Sequence, residues 1–292
     1  MSCRHGLRSP RVVIVGAAGR VGSSLARSFP EATCLKRGDL DVGDPCTVAR
    51  FGWSRDDVVL NAAGYTDVDA AQSRAGSAAA WRTNHVGAAN LAQAAIRHRF
   101  VLLHLSTDYV FSGRTTGAIS EDAPVDPLNV YGESKAAGDS EVARTPRHYI
   151  VRTSWVVGEG ENFVRRMLRL AHAGQRPTIV DDQFGRLTFA DDLCAAIRHL
   201  VVHRPAFGTY NVTNDGTPAT WAAIARKVFI AAGRRDEDVS GRTTREFLAE
   251  FPKKAERPLN SVLDLGKARG VGIELHDWEP RLKEYLEREL TR

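Results

Sequence analysis

Four β-branched residues in a row, Val12-Val13-Ile14-Val15, run straight into Gly16-Ala17-Ala18-Gly19-Arg20-Val21-Gly22 and then into the helical pattern Ser23-Ser24-Leu25-Ala26-Arg27-Ser28-Phe29. A continuous apolar run of this kind suits a strand buried on both faces of a parallel sheet. Glycines three apart let the backbone turn tightly and approach a pyrophosphate, which then rests on the positive end of the following helix. Strand, glycine turn and helix in this order predict an α/β fold, a Rossmann-type doubly wound parallel sheet. Gly16, Gly19, Arg20, Val21 and Gly22 are its first cofactor-binding candidates.

The spacing G-x-x-G-x-x-G is that of the short-chain reductase variant of this fold. About twenty residues after the first glycine, an acid would meet the ribose 2′-hydroxyl of NAD, or a base the 2′-phosphate of NADP. Here Lys36-Arg37 closes the run Thr33-Cys34-Leu35, and Arg20 sits inside the glycine loop, so NADPH is the expected cofactor, with NADH possible. Asp41 and Val42 follow. A third strand, Asp57-Val58-Val59-Leu60-Asn61, ends in Asn61-Ala62-Ala63-Gly64-Tyr65, where small residues let a flat cofactor lie close. Asn61, Ala62, Ala63 and Tyr65 complete the cofactor set. An alanine-rich helix is predicted around 78–98, carrying Asn84, which either binds a backbone carbonyl or water in a proton relay or is a polar residue on the helix surface.

The strand Val101-Leu102-Leu103-His104-Leu105 ends at Ser106-Thr107, which puts two hydroxyls at the carboxyl edge of the sheet, where open α/β folds bind ligands. Tyr131 and Lys135 follow with a helical spacing that sets both on one face. A phenol titrates near ~10, and an ammonium beside it stabilises the phenolate, drawing the pKa toward the range of an acid/base catalyst. Tyr-x-x-x-Lys alone is common on helices. In company with the glycine turn, the Asn-Ala-Ala-Gly strand end and the hydroxyl pair, it makes Thr107, Tyr131 and Lys135 the catalytic candidates.

The chain has 292 residues, 43% hydrophobic and 26% charged, enough for one large α/β domain with a smaller lobe. Its formal charge of +5 comes from arginines scattered along the chain, with no dense basic run interleaved with aromatics. That argues against a nucleic-acid partner and suits anionic small molecules. Cys3, Cys34, Cys46 and Cys194 have no C-x-x-C spacing or accompanying histidine pair, so no zinc site is expected, and reduced thiols point to the cytoplasm. No apolar run reaches the ~18 residues of a membrane span. Residues 1–10 are read as a flexible leader, 11–157 as the dinucleotide-binding domain with about 178–204 returning to it, and 158–292 as mainly a substrate-binding lobe. Tyr149 to Val157 reads as one strand, Thr178-Ile179-Val180 and Gly208 to Asn214 as later ones, and 277–286 as an amphipathic terminal helix. The stretch 234–250 gives no clear pattern.

Taken together, Asn61-Ala62-Ala63-Gly64-Tyr65-Thr66-Asp67-Val68-Asp69, Ser106-Thr107-Asp108-Tyr109-Val110-Phe111, Asn129-Val130-Tyr131-Gly132-Glu133-Ser134-Lys135, Arg152-Thr153-Ser154-Trp155-Val156 and Asp182-Gln183-Phe184-Gly185-Arg186 closely resemble the dTDP-4-dehydrorhamnose reductase family of extended short-chain dehydrogenase/reductases. The resemblance runs in order from about Val12 to the carboxyl end. It implies a 4-ketoreductase acting on dTDP-4-dehydro-β-L-rhamnose, a dTDP-sugar substrate, and a monomer or homodimer. It also implies that Thr107, Tyr131 and Lys135 are the catalytic trio and that Trp155 flanks the sugar. Asn162, Phe163 and Gln183 fall in matching segments as substrate-binding candidates. Arg257, in a matching Arg-Pro…Ser segment, is a candidate for the diphosphate, since guanidinium meets phosphate bidentately, or else an exposed salt bridge. Leu187-Thr188 stands where the family has Pro-Thr, losing the fixed φ of proline. Some members use magnesium at a dimer contact; no carboxylate cluster here is assigned to a metal. Two alternatives share these motifs: a 4-ketoreductase for another dTDP-6-deoxysugar, and a non-catalytic NADP-binding regulatory subunit.

Overall fold

The computed structural model describes residues 11–291; the expected leader, 1–10, lies outside them. Along the chain the strands are β1 (Val12–Val15), β2 (Thr33–Leu35), β3 (Val58–Asn61), β4 (Val101–Thr107), β5 (His148–Thr153), β6 (Val156–Val157), β7 (Thr178–Val180), β8 (Phe184–Gly185), β9 (Thr188–Phe189), β10 (Gly208–Asn211), β11 (Ala219–Thr220) and β12 (Ser240–Arg242). The helices are α1 (Arg20–Ser28), α2 (Pro45–Arg50), α3 (Arg74–Ala80), α4 (Gly87–His98), α5 (Val130–Ala143), α6 (Phe163–His172), α7 (Ala190–His203), α8 (Trp221–Ala231), α9 (Thr244–Glu250), α10 (Gly266–Gly270) and α11 (Trp278–Leu290). None of the described helices is long and apolar enough to cross a membrane.

Six strands pair in parallel in the order β10-β5-β4-β3-β1-β2. From β1 the chain steps to β2 on one side and then to β3 on the other. Consecutive connections diverge there, so a crevice opens at the carboxyl ends of β1 and β3. Both faces of the sheet are covered, which explains the unbroken apolar strands. On one face Leu25 of α1 and Leu193, Ile197 and Leu200 of α7 pack on Ile14, Leu60, Leu103 and Val151. On the other, Leu91, Ala92 and Ala95 of α4 and Val142 of α5 cover Val13, Val59, Leu102 and Ile150. Each fully buried leucine or isoleucine contributes roughly 1.5–3 kcal/mol through lost water contact.

A second core joins α6, α8 and α11 through Val164, Met167, Ile224, Val228, Phe229, Trp278 and Leu282. Leu187, at the position of the family's proline, is wholly buried in it, and Thr188 and Phe189 after it pair with β6.

Several sequence expectations shift. The return to the main domain, expected over 178–204, begins later. Thr178–Val180 pairs with β12 away from the main sheet, while α7 and β10 rejoin it because their apolar faces complete the sheet core. The strand expected over 149–157 is broken, since Trp155 takes a left-handed φ of 47° between β5 and β6. The helix expected over 78–98 starts at Arg74 and contains a π-helical turn, Trp81–Val86, between α3 and α4. The unreadable stretch 234–250 forms β12 and α9, whose amino end is closed by a capping box between Thr243 and Glu246.

Candidate active site

The crevice is built from three neighbouring strand ends. Gly16 at the end of β1 has φ 79°, and a Cβ there would lie 2.5 Å from Ala63 N, so only glycine lets the first and third loops meet. A Cβ on Gly22 would likewise lie 2.2 Å from Gly16 O, while around Gly19 only Gly16 O comes within 4 Å. Helix α1 begins here with no side-chain cap and no acid in its first turn. An uncapped helix amino terminus over an open glycine suits a phosphate group. Gly16 N and Ala17 N bond to Leu35 O, which draws the end of β2 to the loop, and Lys36 and Arg37 stand exposed just beyond it.

The remaining cofactor candidates divide. Ala62, Ala63 and Tyr65 lie half-buried along the crevice, and Val21 packs against the sheet core. Arg20 is exposed, with its guanidinium on the carbonyl oxygens of Glu161 and Val156. Asp41 is held by Arg82 at 2.7 Å, and the Val42 side chain is buried against Gly87. Asn61 turns away from the crevice: its amide nitrogen is 2.8 Å from His104 Nδ1, and its oxygen accepts from Ala63 N. The Asn61 side chain points toward its cross-strand partner His104, so any contact of Asn61 with a cofactor would be made by its backbone.

Asn84 settles between its two readings. It lies 1% exposed in the π-helical turn, donates to the carbonyl of Tyr65 and to Ser134 Oγ, and accepts from Tyr65 N. It thus ties the third crevice loop to α5. Gly138 allows the close approach, since a Cβ there would meet Asn84 O at 2.2 Å.

Thr107 closes β4, and Asn129 caps α5, setting Tyr131 and Lys135 on its first turns. The Thr107 hydroxyl donates to Asp108 Oδ1 at 2.9 Å and accepts from Tyr109 N, and it lies close enough to the Tyr131 phenol to oppose the rise in its pKa. The Tyr131 ring meets Tyr109 edge-on at 5.8 Å. Burial raises the phenol's pKa, opposed by Thr107, with Asp108 and Asp139 adding to the rise. The expected lowering by Lys135 is absent because its Nζ turns inward, 3.0 Å from His104 Nε2 and 2.5 Å from Leu105 O. Burial pushes the Lys135 amine down to about 8, with Asp139 opposing. Burial likewise pushes the Asp108 carboxyl up to about 6, against hydrogen bonds from Ser261 and Thr107.

Beneath this surface runs a buried polar chain. Asp139, one turn past Lys135, accepts from Ser106 Oγ at 2.8 Å and from Arg152 Nε at 3.3 Å. Arg152 continues to Glu121 O. His104, Asp139, Arg152 and Asp108 were not singled out from sequence. The available signal was a histidine and two acids inside otherwise apolar or helical runs, where burial costs several kcal/mol unless each group is paired.

The lobe-side candidates are mostly committed to protein contacts. Asn162 caps α6, accepting from Arg165 N and donating to Gly158 O and the Tyr285 hydroxyl. Phe163 packs on Trp221 at 4.5 Å between ring centroids. Gln183 is buried and donates to Thr244 Oγ1. The amides of Asn162 and Gln183, both substrate-binding candidates, are engaged by a helix terminus and by the junction with α9. Trp155 stacks on Trp221 at 3.7 Å, its ring so close to Gly185 that a Cβ there would lie 2.7 Å away. Arg257 meets Asp69 at 2.9 Å. The segment around it also reaches Asn129 through Glu256 O, so the lobe closes over the start of α5.

A parallel sheet with a glycine cradle at its switch point, and a threonine, tyrosine and lysine at the adjacent strand end, define a short-chain dehydrogenase/reductase. Similarity to known proteins narrows this class. A family model described as RmlD substrate binding domain matches residues 10–291. A dTDP-4-dehydrorhamnose reductase of Aggregatibacter actinomycetemcomitans is 36% identical over 94% of this chain and 97% of its own. A probable dTDP-4,6-dihydroxy-2-methyloxan-3-one 4-ketoreductase of Streptomyces antibioticus is 36% identical over 94% of each chain. The crystal structure of dTDP-4-dehydrorhamnose reductase from Bacillus anthracis in complex with NADP superposes with a TM-score of 0.84 at 32% identity, covering 97% of this chain and 99% of that one. The chain belongs to the dTDP-4-dehydrorhamnose reductase family and is a nucleotide-sugar reductase.

Proposed function

We propose that the chain reduces the C4 keto group of dTDP-4-dehydro-β-L-rhamnose to give dTDP-L-rhamnose with NADPH. The observation that carries this reading is the meeting of Thr107, buried at the end of β4, with the half-buried Tyr131 of α5, beside the glycine cradle. Support for NADPH comes from the exposed Lys36 and Arg37 beyond β2 and from the NADP complex of the Bacillus anthracis relative.

A nicotinamide bound in the crevice would supply a hydride to the sugar carbon. Thr107 hydrogen-bonds the carbonyl oxygen, which gathers negative charge as the carbon is reduced, and Tyr131 delivers a proton to that oxygen. A phenol whose pKa is raised by burial stays protonated at neutral pH and is ready to act as the acid. Lys135, released from His104, would hold the cofactor ribose and, as an ammonium, stabilise the phenolate left on Tyr131. Trp155, fixed by its stack on Trp221, gives the sugar a flat apolar wall. Arg257 leaves Asp69 for the diphosphate, where its planar fork meets two oxygens at once.

The Streptomyces relative favours a second reading, reduction of another dTDP-4-keto-6-deoxysugar by the same residues. Turnover of NADPH with each ketosugar separates them. A kcat/KM at least ~tenfold higher for dTDP-4-dehydro-L-rhamnose is the expected outcome, a difference of about 1.4 kcal/mol in transition-state binding. The opposite preference moves the assignment to the other sugar, and NADPH binding without turnover of either supports a regulatory subunit.

A further inference from the structure

Lys135 and His104 meet in a way that a charged lysine does not satisfy. His104 is buried on β4, with Nδ1 2.8 Å from Asn61 Nδ2 and Nε2 3.0 Å from Lys135 Nζ. Asn61 does not offer its carbonyl to the ring, because that oxygen accepts from Ala63 N at 3.1 Å. The Asn61 amide therefore donates to Nδ1, and a neutral imidazole then carries its one proton on Nε2. Burial holds His104 neutral.

An ammonium at Nζ would set one N–H against another. A free amine removes that conflict, accepting from His104 Nε2–H on its lone pair and donating to Leu105 O. We propose that His104 is a positioning residue that favours Lys135 as the free base in the cofactor-free protein, so that at alkaline pH Lys135 takes up a proton when the dinucleotide draws its amine away from the ring. The proposal rests on the NADPH reading above. One N–H bond forms at the Nζ lone pair, the proton comes from solvent, and no other bond breaks.

The surrounding charges agree with this arrangement. Asp139 Oδ1 lies 3.8 Å from His104 Nε2 without a hydrogen-bond partner, while Oδ2 is held by Ser106 and Arg152. Asp139 and Arg152 thus balance each other, leaving no nearby carboxylate in direct contact with Nζ. Of the other titratable groups at the end of β4, Tyr131 is neutral and Asp108 accepts from Thr107. Burial lowers the Lys135 amine to about 8, the direction the hydrogen-bond geometry requires.

Calorimetric titration of the full chain with NADPH, in buffers of different ionisation enthalpy, counts protons taken up on binding. At about pH 9 the ligand phosphates, whose last pKa is near 6, are ionised throughout and leave Lys135 as the group that changes. The expected result is uptake approaching about one proton at that pH and less at about pH 7. His104→Gln, whose amide oxygen can accept from an ammonium, should bind NADPH with uptake reduced at least ~threefold, and Lys135→Met with none. Binding by the natural chain without uptake at about pH 9 overturns the proposal, as does undiminished uptake in His104→Gln. Uptake by the natural chain decides the question even if His104→Gln does not fold. Failure to bind NADPH at all overturns the cofactor reading instead, and this proposal with it.

Discussion

The sheet half and the lobe bury polar groups in different ways. At the end of the sheet, Asn61, His104, Lys135, Asp139 and Arg152 form one continuous buried chain that reaches the crevice. In the lobe, buried Asn162 and Gln183 each serve a helix end or an element junction, and the α6–α8–α11 core is apolar. Burying several titratable groups together is expensive, and a fold seeking only stability would use apolar side chains there. The contrast supports the proposed placement of the chemistry in the sheet half. The lobe's part is fit: Trp155 held against Gly185, and Arg257 and Lys254 fastened to Asp69 across the crevice.

This division can be broken by substitutions on either side. Lys135→Met should lower kcat by ~10²–10³-fold, the size expected for a group that serves an acid/base catalyst. Methionine fills the same buried space without a charge to desolvate, so the fold should survive. A Lys135→Met enzyme with near-normal kcat would move the chemistry elsewhere. Arg257→Ala should raise KM for the dTDP-sugar by ~10–100-fold while kcat falls far less, the loss of a charge-assisted pair to the diphosphate. If kcat carried the loss, the lobe would share in catalysis and the contrast would fail.

Asp108 sharpens the comparison through stability. Its carboxyl, raised by burial to about 6, holds a proton in the folded chain at pH values where the unfolded chain has already released it. Stability therefore falls as pH rises from about 4 through about 6. Asp108→Asn should stabilise the protein by about 1–2 kcal/mol at pH 7 and by less near pH 4, read as the difference in urea midpoints. Equal midpoint differences at both pH values would remove Asp108 from the strained group. The smallest effect belongs to Lys36 and Arg37, both exposed. Their joint replacement by alanine should cut the NADPH-over-NADH preference in kcat/KM by about tenfold, and an unchanged ratio would assign 2′-phosphate recognition to other residues.

What could be read from the sequence was local. The β1–glycine–α1 unit is legible because each of its signals lies within a few residues, and Tyr131 and Lys135 are legible because helical spacing alone sets them on one face. His104 was not, since its partners Asn61 and Lys135 lie 43 and 31 residues away. The break at Trp155 was hidden for a similar reason, its left-handed backbone being supported by Trp221 and Gly185 from later in the chain. Asn162 and Gln183 carried the right residue types, but an amide that caps a helix reads the same in sequence as one that faces a sugar. Within 234–250, Thr243-Thr244-Arg245-Glu246 does carry a capping-box pattern, obscured by the surrounding charge.

The central claim is that hydride reaches C4 of a dTDP-ketosugar while Tyr131 supplies the proton. Single-turnover reactions with NADPH deuterated at the transferred position, comparing the natural chain with Tyr131→Phe, test it most directly. Deuterium at C4 of the product, formed at least ~10²-fold more slowly by Tyr131→Phe while NADPH still binds, is the predicted result. Deuterium at another carbon, or an unchanged rate in the phenylalanine variant, would contradict the account.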